Sequence, residues 1–251
     1  TPFGLNFAGK TLKMPSPNIR VVNAVMALPE GDTKLSPLAV RTATACIAAP
    51  GVLVIAYFGS PFFDILIALM ALILAFEWNR LCGGRPFWLG LGLIYIAVPC
   101  WALLFLRSDG TSGSTNIYWL LAVVWSADTG AYAFGRLIGG AKLAPVISPN
   151  KTWAGLMGGI GMAGLTGALA SLVIESKDFL ALAGWSAVIG AITQMGDLGE
   201  SWVKRYFGAK DMGAILPGHG GLFDRVDGLL VAAVAVALIE TFDMGLILTW
   251  M

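Results

Sequence analysis

The run from Gly196 to Gly228, GDLGESWVKRYFGAKDMGAILPGHGGLFDRVDG, sets Asp197, Glu200, Asp211, Asp224 and Asp227 among Lys204, Arg205, Lys210 and Arg225. Closely spaced carboxylates repel one another, and a divalent cation relieves the repulsion; hard oxygen ligands suit Mg2+. Mg2+ in turn takes substrate phosphates as further ligands. The interleaved cations can neutralise phosphate oxygens. Gly218, Gly220 and Gly221, around the single histidine His219, let backbone N–H groups approach an anion closely. A second run, DTGAYAFGRLIGGAKLAPVISPNKTWAG from Asp128 to Gly155, adds another acid and more cations. Together these are the parts of phosphoryl or nucleotidyl transfer. Each has a plainer reading beside it. A mixed-charge run serves as a solvated connector, Asp128 as an interfacial helix-end acid, Asp197 as an N-cap or helix-end acid, and His219 as a structural donor in its turn. Against the plain reading of Asp128 stands its setting in LLAVVWSADTGAY, because an acid within an apolar segment is expensive to keep.

The elements that position these residues must be membrane helices. Of 251 residues, 57% are hydrophobic and 12% charged, where soluble domains carry about 25% charged residues. Seven apolar stretches are long enough to span a bilayer: 38–58, 61–80, 87–106, 116–137, 154–174, 180–200 and 227–248. The expected architecture is an all-α transmembrane bundle of about seven spans with a charged active site on its cytosolic face. Residues 1–37 form a polar leader, irregular or surface-lying and not a signal peptide, and 38–251 a single membrane domain. The fifth stretch carries Gly155, Gly158, Gly159, Gly161, Gly164 and Gly167, which offer small faces for close helix packing. With seven spans, 14 of the 16 Lys and Arg fall on one side, leaving Arg107 and Lys177 on the other; the rich side is assigned to the cytosol. Cys46, Cys82 and Cys100 form no CxxC pair, which argues against a disulfide framework or a zinc site. Asp64, Glu77, Glu240 and Asp243 are expected as helix-end or interfacial residues. The nine Trp are expected as interfacial anchors. A net charge of +1 points to no nucleic-acid partner.

Residues Ser201 to Asp227, SWVKRYFGAKDMGAILPGHGGLFDRVD, resemble the signature of the phosphatidate cytidylyltransferases, or CDP-diacylglycerol synthases. Ser201, Lys204, Arg205, Lys210, Asp211, Gly213, Pro217, His219, Gly220, Gly221, Asp224, Arg225 and Asp227 all meet its fixed positions. DTGAYAFGR, SPNKTWAG and GDLGES are similar to the family as well, so the signature region is 128–228. Further upstream, only the short EW (Glu77–Trp78) and YIAVP (Tyr95–Pro99) pieces are alike. One position departs: Ala154 stands where the family pattern continues with glutamate, a residue that either shares in the chemistry or only positions Lys151.

The resemblance implies transfer of CMP from CTP to phosphatidic acid, giving CDP-diacylglycerol and pyrophosphate with Mg2+, in phospholipid biosynthesis. It implies an inner, cytoplasmic membrane location, a second, monovalent cation such as K+, and a homodimer. Asp197 and Asp224 are then the metal ligands, with Asp227 and Asp128 as further candidates. Lys204, Arg205, Lys210 and Arg225 hold phosphates. Ser148, Asn150, Lys151 and Thr152 close the nucleotide site. His219, with Gly220 and Gly221, contacts pyrophosphate. Two other readings stay open: a lipid nucleotidyltransferase or kinase acting on an isoprenoid alcohol or phosphate, and an ion-coupled transporter using Asp128 and Asp197.

Overall fold

The computed structural model describes residues 37–108, 112–174, 179–213 and 220–242, and of 37–45 the backbone alone. Among the described residues the chain forms seven α-helices: α1 (Pro37–Phe58), α2 (Phe62–Cys82), α3 (Pro86–Ser108), α4 (Gly113–Leu137), α5 (Trp153–Val173), α6 (Phe179–Tyr206) and α7 (Phe223–Thr241). A helix lies in each of the seven expected apolar stretches. Four of them, α2, α3, α5 and α6, are long and apolar enough to cross a membrane by length and composition. In α4 and α7 polar residues such as Ser126, Asp128, Glu240 and Asp227 lower the apolar content. The outward faces are apolar: Leu72, Leu93 and Leu172 are each about two-thirds exposed, as lipid-facing side chains would be.

Successive helices run antiparallel, so their ends fall into two sets. At one end Arg107, closing α3, donates to the carbonyls of Ala56 (2.6 Å) and Tyr57 (3.0 Å) in the last turn of α1. The other end gathers the C-termini of α2, α4 and α6 with the N-termini of α3, α5 and α7. Between the two ends the core is aliphatic, with Leu74, Leu106, Leu120, Ile189 and Leu230 fully buried.

The glycines of α5 bring helices together on two faces. A Cβ on Gly155 would stand 2.8 Å from the Ala131 carbonyl oxygen, and one on Gly159 2.8 Å from that of Ala127, so α4 lies against bare backbone. Gly167 meets Leu182 and Ser186 of α6 in the same way. Gly161 meets nothing and lines a shallow apolar recess with Phe134, Met157 and Met162.

Two expectations change. The all-α bundle carries a small antiparallel hairpin, β1 (Lys142–Ala144) and β2 (Ser148–Thr152), between α4 and α5. The sixth stretch also runs past its expected end at 200: α6 continues through the charged residues to Tyr206. A helix leaving an apolar layer keeps its backbone hydrogen bonds by continuing, and its polar turns then stand on the bundle end.

Candidate active site

Four helix ends, those of α4, α5, α6 and α7, and the hairpin surround an open cavity of about 810 Å³. On α6, Asp197, Glu200, Ser201 and Lys204 follow the i, i+3, i+4, i+7 spacing of a single helix face. From α4 come Asp128, Tyr132 and Arg136; from β2 Asn150, Lys151 and Thr152; from the first turns of α7 Asp224, Arg225 and Asp227, all lining the same space.

One carboxylate oxygen from each of Asp197, Glu200 and Asp227 lies within 4.8 Å of the others. Asp197 and Asp227 are partly buried, and Glu200 is 3% exposed. Glu200 Oε1 is buried and has no hydrogen-bond partner among the described residues. A buried lone oxygen among hard donors is what a divalent cation completes, so the set fits Mg2+. Lys151 Nζ stands 2.7 Å from Asp197 Oδ2, pinning the hairpin to α6, and also donates to the Gln194 carbonyl at 3.3 Å. Gln194 Nε2 reaches Asp128 Oδ1 at 3.3 Å.

Lys204, buried, bridges Glu200 Oε2 and Asp224 Oδ1, each at 2.7 Å. Asp224 therefore stands beside the three-carboxylate group and not in it. Its Oδ1 takes the ammonium, and its Oδ2 accepts from the backbone N–H groups of Met212 and Gly221, each at 3.1 Å. Asp224 sits on the first turn of α7, ahead of the apolar stretch.

The remaining expected site residues fall elsewhere. Arg205 turns away from the cavity: its Nε donates to the Ile147 carbonyl (3.2 Å) in the hairpin turn and its Nη1 to that of Ala209 (3.0 Å). Ser148 and Lys210 do not line the cavity. Thr152, 4% exposed, caps α5, its Oγ1 accepting from Gly155 N at 3.0 Å. Gly220 (φ +85°) and Gly221 form the turn into α7. His219, with Pro217 and Gly218, lies outside the described residues, as do Lys177 and Asp243. Ala154 lines the apolar recess and not the charged cavity.

Glu77 overturns its expectation. It is fully buried, and its two oxygens accept from Leu222 N (3.0 Å) and Phe223 N (2.8 Å), the residues that open α7. An acid five residues from the end of an apolar helix reads as interfacial unless its partner, 145 positions away, is known. Glu200 joins the carboxylate group although it is not among the expected ligands; its spacing from Asp197 and Lys204 on one helix is the signal for it.

An apolar helix bundle with acids and cations converging on a cavity at one end defines the class of this protein. Its sequence places it further: residues 85–242 match the Cytidylyltransferase family, and the chain belongs to that family. It is 45% identical over 173 residues to a protein named phosphatidate cytidylyltransferase from Brucella suis, a match covering 69% of this chain and 63% of that protein's length. Proteins of the same name from Rickettsia bellii (37% over 213 residues, 80% of this chain and 90% of the relative) and Rickettsia conorii (33% over 224 residues, 84% and 94%) are similar over more of their length. The chain spans under two thirds of the Brucella relative.

Proposed function

We propose that this protein transfers CMP from CTP to phosphatidic acid, releasing pyrophosphate, at the cytosolic face of a bacterial inner membrane, with all seven helices as spans. The observation that carries the reading is the convergence of Asp197, Glu200 and Asp227 with Lys151, Lys204 and Arg225 on one open cavity at the end of apolar helices, in a chain of the cytidylyltransferase family. Phosphatidic acid keeps its acyl chains in the bilayer and its phosphate at the interface, and CTP is cytosolic. A site at the helix ends meets both.

The chemistry follows from charge. A phosphate oxygen of phosphatidic acid attacks the α-phosphorus of CTP; the bond to the bridging oxygen breaks, and pyrophosphate leaves with that electron pair. The nucleophile is already an anion, so the barrier lies in bringing it onto a polyanion and holding it in line. Asp197, Glu200 and Asp227 would hold Mg2+, which would neutralise charge on the triphosphate. Lys151 and Asn150, on the hairpin, orient the nucleotide phosphates. Arg136 and Arg225, exposed at the rim, take phosphate oxygens as charge-assisted hydrogen bonds. Lys204 keeps Glu200 and Asp224 in place and compensates their charge.

The test is turnover of purified protein with labelled CTP, Mg2+ and a panel of lipid acceptors. CDP-diacylglycerol and pyrophosphate should form in equal amounts with phosphatidic acid. Turnover only with an isoprenoid alcohol or phosphate, or no Mg2+-dependent pyrophosphate release, sinks the proposal.

A further inference from the structure

Glu77 lies outside the stretch matched to the family, which begins at residue 85, and does not line the charged cavity. Yet it binds the opening of α7, which carries two of the site's carboxylates. Its carboxylate accepts from two consecutive backbone N–H groups, Leu222 and Phe223. These are donors that a helix N-terminus leaves without an intrahelical partner, and a carboxylate there also meets the positive end of the helix dipole. The next residue of that helix is Asp224, and a turn further on is Asp227.

The surroundings leave the carboxylate little freedom. A Cβ on Gly213 would come within 2.5 Å of Glu77 Oε1, and one on Gly221 within 3.0 Å of the same atom and 2.9 Å of Asp224 Oδ2. The glycine turn is therefore packed around two carboxylates, one from α2 and one from α7. Beside them Trp78 stacks on Tyr95 (5.9 Å) and touches Phe223 (5.8 Å), and Tyr95 lies parallel to Phe223 at 5.7 Å. Phe223 is fully buried in this aromatic nest. Polar and apolar contacts alike fix the same two residues at the start of α7.

We infer that Glu77 is a positioning residue: its carboxylate tethers the first turn of α7 to α2 and so sets where Asp224 and Asp227 stand in the cavity. For its effect on turnover this rests on the cytidylyltransferase reading; the tether itself does not. Glu77→Gln keeps the shape and one acceptor but turns an amide N–H2 against a backbone N–H. Glu77→Leu removes both acceptors.

Two measurements on the full chain in detergent decide the matter. In hydrogen exchange followed by mass spectrometry, the peptide over 220–226 of Glu77→Gln should exchange ~10-fold faster or more, the factor a lost charge-assisted hydrogen bond carries, while α5 peptides keep their wild-type rates. In turnover, kcat should fall by a similar factor and half-saturating Mg2+ should rise, with KM for phosphatidic acid within twofold. Unchanged exchange at 220–226, faster exchange throughout the bundle, or a kcat within twofold of wild type would each overturn the role. Should Glu77→Leu fail to fold, Glu77→Gln still decides. If the wild-type protein shows no turnover at all, the functional reading falls, and the exchange rates alone judge the tether.

Discussion

Lys204 shows what a single side chain does in this site. It is 9% exposed and sits between two carboxylates. Removing one partner from such a group leaves the others as uncompensated charge, which costs about 3–5 kcal/mol. Lys204→Met should lower stability on that scale, measured as the shift in denaturant midpoint; a shift under ~1 kcal/mol would mean the pairs are solvated and weak. The aspartates separate by role. Asp197→Asn should weaken Mg2+ affinity ~10-fold or more, as loss of a hard anionic ligand does, and abolish turnover. Asp224→Asn should lose turnover through the freed Lys204 yet bind Mg2+ within about threefold of wild type, read by calorimetric titration. Equal losses of affinity in both would place Asp224 among the ligands. The spacing of Asp197, Glu200 and Lys204 on a helix face was open to view in the sequence. The partition of Asp224 away from Glu200 was not, because it depends on backbone donors at Met212 and Gly221 that no spacing reveals.

At the scale of elements, the contact between α4 and α5 is made by the absence of side chains. Gly159→Val has no room against the Ala127 carbonyl. It should force the two helices apart, costing about 1–3 kcal/mol and drawing Asp128 away from Asp197. Gly161→Ala, on an open face, should leave the thermal midpoint within 2 °C or so, since open positions tolerate a methyl group. Similar midpoints for the two variants would show that the helices are not in close contact. Hydropathy alone located the helices, since apolar runs of spanning length admit few alternatives. The hairpin stayed hidden: SPNKT has no alternating apolar pattern and contains Pro149, so its strand pairs on local geometry and on the Arg205 and Lys151 contacts. The continuation of α6 through 201–206 is not legible from hydropathy, because Lys204 and Arg205 end the apolar run before the helix ends.

For the molecule as a whole, the question is which side of the bilayer holds the charged end. On the Lys and Arg distribution we propose the cytosol, and the hairpin tip offers a test. Val146 is 91% exposed there. In a Cys46→Ser background, Val146→Cys should be silent to a membrane-impermeant maleimide in spheroplasts and labelled in inverted vesicles; the native Cys82 and Cys100 are buried. Labelling in spheroplasts would reverse the orientation.

The ion pair between Lys151 and Asp197 has a consequence for order of arrival. An ammonium 2.7 Å from a carboxylate oxygen competes for the very charge a divalent ion would claim. Seating an ion there would release the lysine toward the cavity mouth, where a triphosphate would meet it. Cation and nucleotide would then be reciprocal ligands, each raising the affinity for the other by the same factor. In Lys151→Gln that coupling should shrink: Mg2+ alone binds more tightly, CTP more weakly, and the benefit each confers on the other fades. Unaltered coupling in the variant would mean that the hairpin lysine takes no part in it.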